Sequence, residues 1–185
     1  MSRILISHRQ EDSPAHARRL YEWLRARYRD EQVFMDVDSI EPGMDFIPAI
    51  GRAVQSADVM LVVIGRRWLD ATDPSGRRRI DMGDDFVRAE IEAGLAGNVR
   101  IVPILVDGAQ LPAEEDLPTS LATLNRRQAL HLDDRNWQSD LDRLGRTLDV
   151  ITGRKSGEED QKPGGSSTPF WLRVVAEKLR VGRLR

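Results

Sequence analysis

Ala57-Asp58-Val59-Met60-Leu61-Val62-Val63-Ile64-Gly65 is the longest apolar run in the chain, and its reading decides the fold. A short apolar segment, unbroken from Val59 to Ile64, rich in β-branched residues and closed by glycine, suits a strand buried on both faces, at the centre of a parallel sheet. Working outward, Arg3-Ile4-Leu5-Ile6-Ser7 reads as a second buried strand and Val33-Phe34-Met35-Asp36-Val37 as a third. Ile101–Val106 is another, whose Pro103 suggests a position near the sheet edge or at a strand start. Ala129–Leu132 is a plausible short fifth strand.

Helical periodicity fills the gaps. Ser13 and Pro14 read as N-cap and first helical position, and Ala17, Leu20, Tyr21, Leu24 and Tyr28 carry the period onward. Phe46, Ile47, Ile50, Ala53 and Val54 mark a second helix, and Leu141, Leu144, Leu148 and Ile151 the last of the domain. Only a weak helical turn is expected over Leu121 to Leu124. Strands alternating with helices imply a parallel sheet covered on both faces. In such sheets ligands bind at the carboxyl ends of the strands. The loops Ser7–Asp12, Asp36–Asp45 and Gly65–Asp85 all leave from that end.

The third helix carries the chemistry. In Asp84-Asp85-Phe86-Val87-Arg88-Ala89-Glu90-Ile91-Glu92-Ala93-Gly94-Leu95 the paired aspartates suit a helix start, and Gly97 a helix end. Val87, Ile91 and Leu95 repeat every four residues as one apolar stripe. Glu90 is then expected at the margin of that contact, one turn after Phe86. A carboxylate so placed is a candidate for chemistry, although the same pattern suits a solvated helix glutamate.

Composition bounds the function. The chain has 185 residues, enough for one domain with a remainder, and 40% hydrophobic with 31% charged residues fits a soluble globular protein. A net charge of −2 argues against nucleic-acid binding through a strongly basic surface. Without cysteine there are no disulfides, thiol nucleophiles or thiolate zinc sites. His8, His16 and His131 show no metal-ligand spacing, so no metal is expected. No signal peptide and no apolar run near the roughly 20 residues of a membrane span occur, which points to the cytoplasm.

Residues 1–152 read as one domain and 153–168, rich in Gly, Ser, Lys and Glu, as a flexible linker. Residues 169–185 carry Arg173, Lys178, Arg180, Arg183 and Arg185 against Glu177. That stretch reads either as a basic amphipathic tail for a membrane surface or partner, or as the start of a further domain. No Gly-x-Gly-x-x-Gly follows the first strand and no Walker-type run occurs, which disfavours dinucleotide redox chemistry and NTP hydrolysis. A phospho-receiver would need an aspartate ending the third strand, where Val63-Ile64-Gly65-Arg66 stands.

Ile4-Leu5-Ile6-Ser7-His8-Arg9, Phe34–Gly43 (with Asp36, Ile40 and Glu41) and Asp85-Phe86-Val87-Arg88-Ala89-Glu90, in that order and spacing, resemble a TIR (Toll/interleukin receptor) domain, in particular the bacterial, NAD-consuming branch. The resemblance covers roughly Met1 to Thr152. It implies a flavodoxin-like three-layer α/β sandwich with a five-stranded parallel sheet. It also implies an NAD glycohydrolase that releases nicotinamide and leaves ADP-ribose or a cyclic isomer, NAD being substrate rather than cofactor.

The family's catalytic glutamate, preceded four positions earlier by an aromatic that is usually Trp, maps onto Glu90 and Phe86. Ser7-His8-Arg9 stands where the family usually has Ser-Tyr-Arg. Arg9 is a candidate to hold the diphosphate, Phe86 to wall the nicotinamide-ribose pocket, and Asp36, Ile40 and Glu41 to shape or line it. Trp68 is a further candidate, as stacking platform or as packing.

The resemblance further implies homo-oligomers assembled through the loop Val37–Met44, a bacterial anti-phage or toxin-like effector role, and a possible downstream sensor. A non-catalytic adaptor working through TIR–TIR contacts is the competing class. A nucleoside deoxyribosyltransferase-like enzyme, also with a glutamate on a flavodoxin-like sheet, is a remote third.

Overall fold

The computed structural model describes residues 2–28, 32–35 and 46–154, with the backbone alone for 46–49. The candidates Asp36, Ile40 and Glu41, the assembly loop Val37–Met44, and nearly all of the linker and tail lie outside the described residues. Five strands, β1 (Ile4–Ser7), β2 (Val33–Met35), β3 (Val59–Ile64), β4 (Arg100–Val106) and β5 (Leu130–Leu132), form one sheet. All pairs are parallel and the order is β2-β1-β3-β4-β5. This is the flavodoxin-like order, whose switch point lies between β1 and β3.

Among the described residues four α-helices cover the sheet: α1 (Pro14–Arg27), α2 (Phe46–Gln55), α3 (Phe86–Ala96) and α4 (Trp137–Thr152). The link from β4 to β5 holds only 3₁₀ turns, Glu114–Asp116 and Thr119–Arg126, where a weak turn was expected.

The alternation of β3 shows why the long apolar run belongs at the centre. Val59, Leu61 and Val63 enter the cluster of α1 and α4, with Leu20, Leu24, Leu144 and Leu148. Met60, Val62 and Ile64 enter the opposite cluster of α2 and α3, with Ile50, Val54, Val87 and Ile91. Each such side chain contributes about 1.5–3 kcal/mol of transfer free energy, so a polar residue on either face of β3 would be costly. In β1, Ile4 and Ile6 face the α1 side and Leu5 the α3 side. Ser7 shares the parity of Leu5, which aims it at α3.

Pro103 lies in the strand next to the sheet edge, not at a strand start. β4 lies between β3 and β5, and Pro103 pairs with Val62 in mid-strand. The β5 ladder starts one residue later, at Ile104, so the proline has a paired neighbour on one side only. Ser13 holds the N-cap position of α1 but its side chain makes no cap bond; Pro14, with no N–H to satisfy, follows it.

Candidate active site

The end of β1 and the start of α3 meet on one side of the switch point. Ser7 Oγ donates a 2.5 Å hydrogen bond to Glu90 Oε2, and both residues are buried. Glu90 is only 4% exposed, which corrects the expectation of a residue at the margin of the helix contact. The buried residues of α3 are Val87, Ala89, Glu90, Ile91 and Gly94, of which Val87, Glu90, Ile91 and Gly94 are spaced i, i+3, i+4, i+7, while Leu95 packs half-buried against the same core. Gly94 explains the difference. A Cβ there would lie 3.1 Å from Ile101 Cδ1 and 3.3 Å from Met60 Cε, so glycine lets α3 approach the sheet along the Glu90 stripe.

Asp85 caps the start of α3. Its Oδ1 accepts from the backbone N–H of Arg88 at 2.9 Å, the geometry of a helix N-cap. The same carboxylate receives both terminal nitrogens of Arg9, at 2.8 and 3.0 Å. Arg9 is 2% exposed, and its guanidinium carbon lies 6.0 Å from the centre of the Trp68 ring. Its charge is thus committed to the helix start, which corrects the expectation of an arginine open to a diphosphate. Removing Asp85 would leave the Arg9 charge buried and unpaired, a loss of about 3–5 kcal/mol, whereas without Arg9 the carboxylate keeps Arg79 within 3.4 Å and the Arg88 N–H.

Trp68, buried in the α2/α3 core, is a packing residue here and presents no open ring face. His8 is buried as well. Phe86 stands apart from these: it is 45% exposed at the first position of α3, one turn before Glu90.

Three residues not singled out from the sequence complete the arrangement. Asp12 accepts from the backbone N–H groups of Gly65 at 2.7 Å and Arg67 at 2.8 Å, tying the loop after β1 to the end of β3. A Cβ on Gly65 would lie 2.6 Å from both Asp12 oxygens, so any side chain there must displace Asp12 from its two backbone partners. Arg79 bonds Glu11 and places its Nε 3.4 Å from Asp85. The sequence signal was present in the acidic pair Glu11-Asp12 and in Arg79 inside the polar third loop, but nothing in the spacing paired them.

An open cleft of about 570 Å³ lies beside this network, lined by Glu11, Thr72, Asp73, Pro74, Arg79, Met82, Asp84 and Asp85. Its lining includes neither Glu90 nor Phe86. On the outer side of α3, burial alone would raise the Glu92 carboxyl, but hydrogen bonds from Ser120 and Arg88 and the Arg88 charge outweigh it and hold Glu92 below its ordinary value. Among the described residues no group of three or more His, Asp or Glu could hold a metal ion. Nor is any described helix long and apolar enough to cross a membrane.

A family model described as "TIR domain" matches residues 4–145. No curated protein matches the chain in sequence. Among solved structures, the TIR domains in a structure of the activated Roq1 resistosome, described as directly recognising the pathogen effector XopQ, align at 13% identity. The alignment covers 98% of this chain and 99% of that one with a TM-score of 0.45, a likeness too remote to bear on function.

Proposed function

We propose that this chain, which belongs to the TIR-domain family, is an NAD glycohydrolase with Glu90 as its catalytic carboxylate. One observation carries the reading: a buried glutamate, oriented by Ser7 Oγ, at the carboxyl end of a parallel sheet where such folds bind ligands. The reaction suits one acid. O-glycosidases require a second carboxyl to protonate the leaving oxygen. Nicotinamide departs from a cationic pyridinium as a neutral base and needs no proton.

As the C1′–N bond breaks, positive charge grows on the ribose, and a fixed carboxylate stabilises it in a site poor in water. Water then adds to C1′ and releases its proton to solvent, giving ADP-ribose; attack by an adenine nitrogen instead gives the cyclic isomer. Ser7 holds the carboxylate in one orientation through this change. Phe86 offers the aromatic wall. At 4% exposure Glu90 meets the ribose hydroxyls only when neighbouring atoms yield.

That same burial favours the second reading, a non-catalytic TIR module in which Glu90 only fastens α3 to β1. Incubating NAD with the purified chain over a range of protein concentrations separates the two. Release of nicotinamide, reduced about 100-fold or more in Glu90→Gln, supports the enzyme. A folded wild-type domain with no turnover at any concentration leaves the docking module. An anti-phage or toxin-like effector role, with the loop Val37–Met44 joining copies, extends the enzymatic reading.

A further inference from the structure

We infer that Arg9 and Asp85 are a positioning pair for Glu90, acting through the helix rather than on substrate. The exit of β1 sends two side chains, two positions apart, onto the same helix: Ser7 to Glu90 and Arg9 to Asp85. The second contact is bidentate, so it sets direction as well as distance. Its acceptor is the residue whose other task is to cap α3 through Arg88 N. Asp85 and Glu90 are joined by a helix that rises about 1.5 Å per residue, so a shift at one is passed to the other.

The far end of α3 is held where Gly94 lies against Ile101 and Met60. Fixed at both ends, the helix neither slides nor rotates, and the Glu90 carboxylate keeps its place under Ser7. Arg79, between Glu11 and Asp85, supports the same acceptor from the third loop. Arg9 itself, 2% exposed with both terminal nitrogens engaged, is not placed to touch a ligand.

The kinetic arm of the test rests on the glycohydrolase reading; the spectroscopic arm does not. In protein carrying ¹³C-glutamate, the Glu90 carboxyl signal is assigned by its loss in Glu90→Gln. Arg9→Lys, which keeps the charge but not the fork, and Asp85→Asn, which keeps a helix cap of equal strength, are expected to move that signal in the direction that Ser7→Ala moves it. A signal unmoved in both variants, but moved in Ser7→Ala, overturns the inference. Where Arg9→Lys fails to fold, Asp85→Asn carries the comparison.

In steady-state kinetics each variant is expected to lower kcat on the order of 10- to 100-fold, as for small misplacements of a reacting group. KM stays within about twofold, and the double variant is no worse than the worse single one, as coupled residues behave. A raised KM with kcat retained in Arg9→Lys would make Arg9 a substrate ligand, since loss of uniform binding raises KM alone. If the wild type releases no nicotinamide, the glycohydrolase reading fails and the carboxyl signal alone decides the pair.

Discussion

Ser7 Oγ and Glu90 Oε2 are 2.5 Å apart although their residues stand 83 positions apart in the chain, one ending the first strand and the other in the middle of α3. This bond joins the sheet to the helix that covers it, and it places a carboxylate at the point where a parallel sheet receives its ligands.

Ser7→Ala removes the donor and leaves a buried carboxylate oxygen without it. The expected result is a stability loss of about 1–3 kcal/mol, read from urea denaturation, and a fall in nicotinamide release of roughly 10-fold, about 1.4 kcal/mol in the barrier. Unchanged turnover with lowered stability would restrict Ser7 to a structural role.

Gly65→Ala places a methyl group 2.6 Å from both oxygens of Asp12, a carboxylate held by two backbone N–H groups. Asp12 cannot move aside without giving up those bonds, so a loss of about 2 kcal/mol is expected. Asp12→Ala is expected to cost a similar amount, with the double variant well short of additive. Additive losses in chemical denaturation would show that the two residues act separately.

Stability should fall on the alkaline side through Tyr28. Burial pushes its hydroxyl up from 10.0 to about 12, and the hydrogen bond and charge of Asp149 push the same way, against Arg27. Because the folded value is the raised one, the contribution is whole below pH 10 and is lost as pH rises towards about 12. Thermal melts across that window should fall more steeply for the wild type than for Tyr28→Phe, which has no proton to lose. Parallel curves would contradict the assignment.

If activity requires assembly through the loop Val37–Met44, specific activity should rise with protein concentration. Charge reversal at Glu41 or Asp45 should then lower activity while leaving the melting temperature near that of the wild type. A monomeric mass by light scattering, together with concentration-independent specific activity, would set assembly aside. A self-association of this head-to-tail kind propagates, so filaments are the expected end point.

How far the sequence alone reaches is clear from single residues. Val59 to Ile64 was readable as the central strand because both of its faces are apolar, and only the middle of a covered sheet meets that demand. Asp85 was readable as a helix start because an exposed set of helix N–H groups needs a local acceptor. Val87, Ile91 and Leu95 were readable as one packed stripe, and Leu95 does pack half-buried against that core. Gly94 beside it was not readable, since hydrophobicity marks a packed face and a glycine that permits close approach has no such mark. Pro103 suggested a place near the sheet edge or at a strand start because a missing N–H is harmless there; β4 is next to the edge strand, and the one-sided pairing of Pro103 depends on where β5 begins. Arg9 suggested a ligand contact because a guanidinium can hold phosphate oxygens bidentately; the carboxylate it holds instead, Asp85, is 76 residues away in the chain.

The chain's own pattern determined the alternation of strands and helices, the five parallel strands, and the presence of an acid one turn beyond an aromatic at a helix start. These follow from local periodicity and backbone demands that neighbouring residues satisfy among themselves. Tertiary structure alone decided that Glu90 lies inside the packed face and bonds Ser7, that Arg9 closes on Asp85, and that Asp12 occupies the turn at Gly65. Those are contacts between charged or polar groups distant in the chain. Their partners are chosen by where the packed sheet brings each loop, and nothing in the local sequence encodes that.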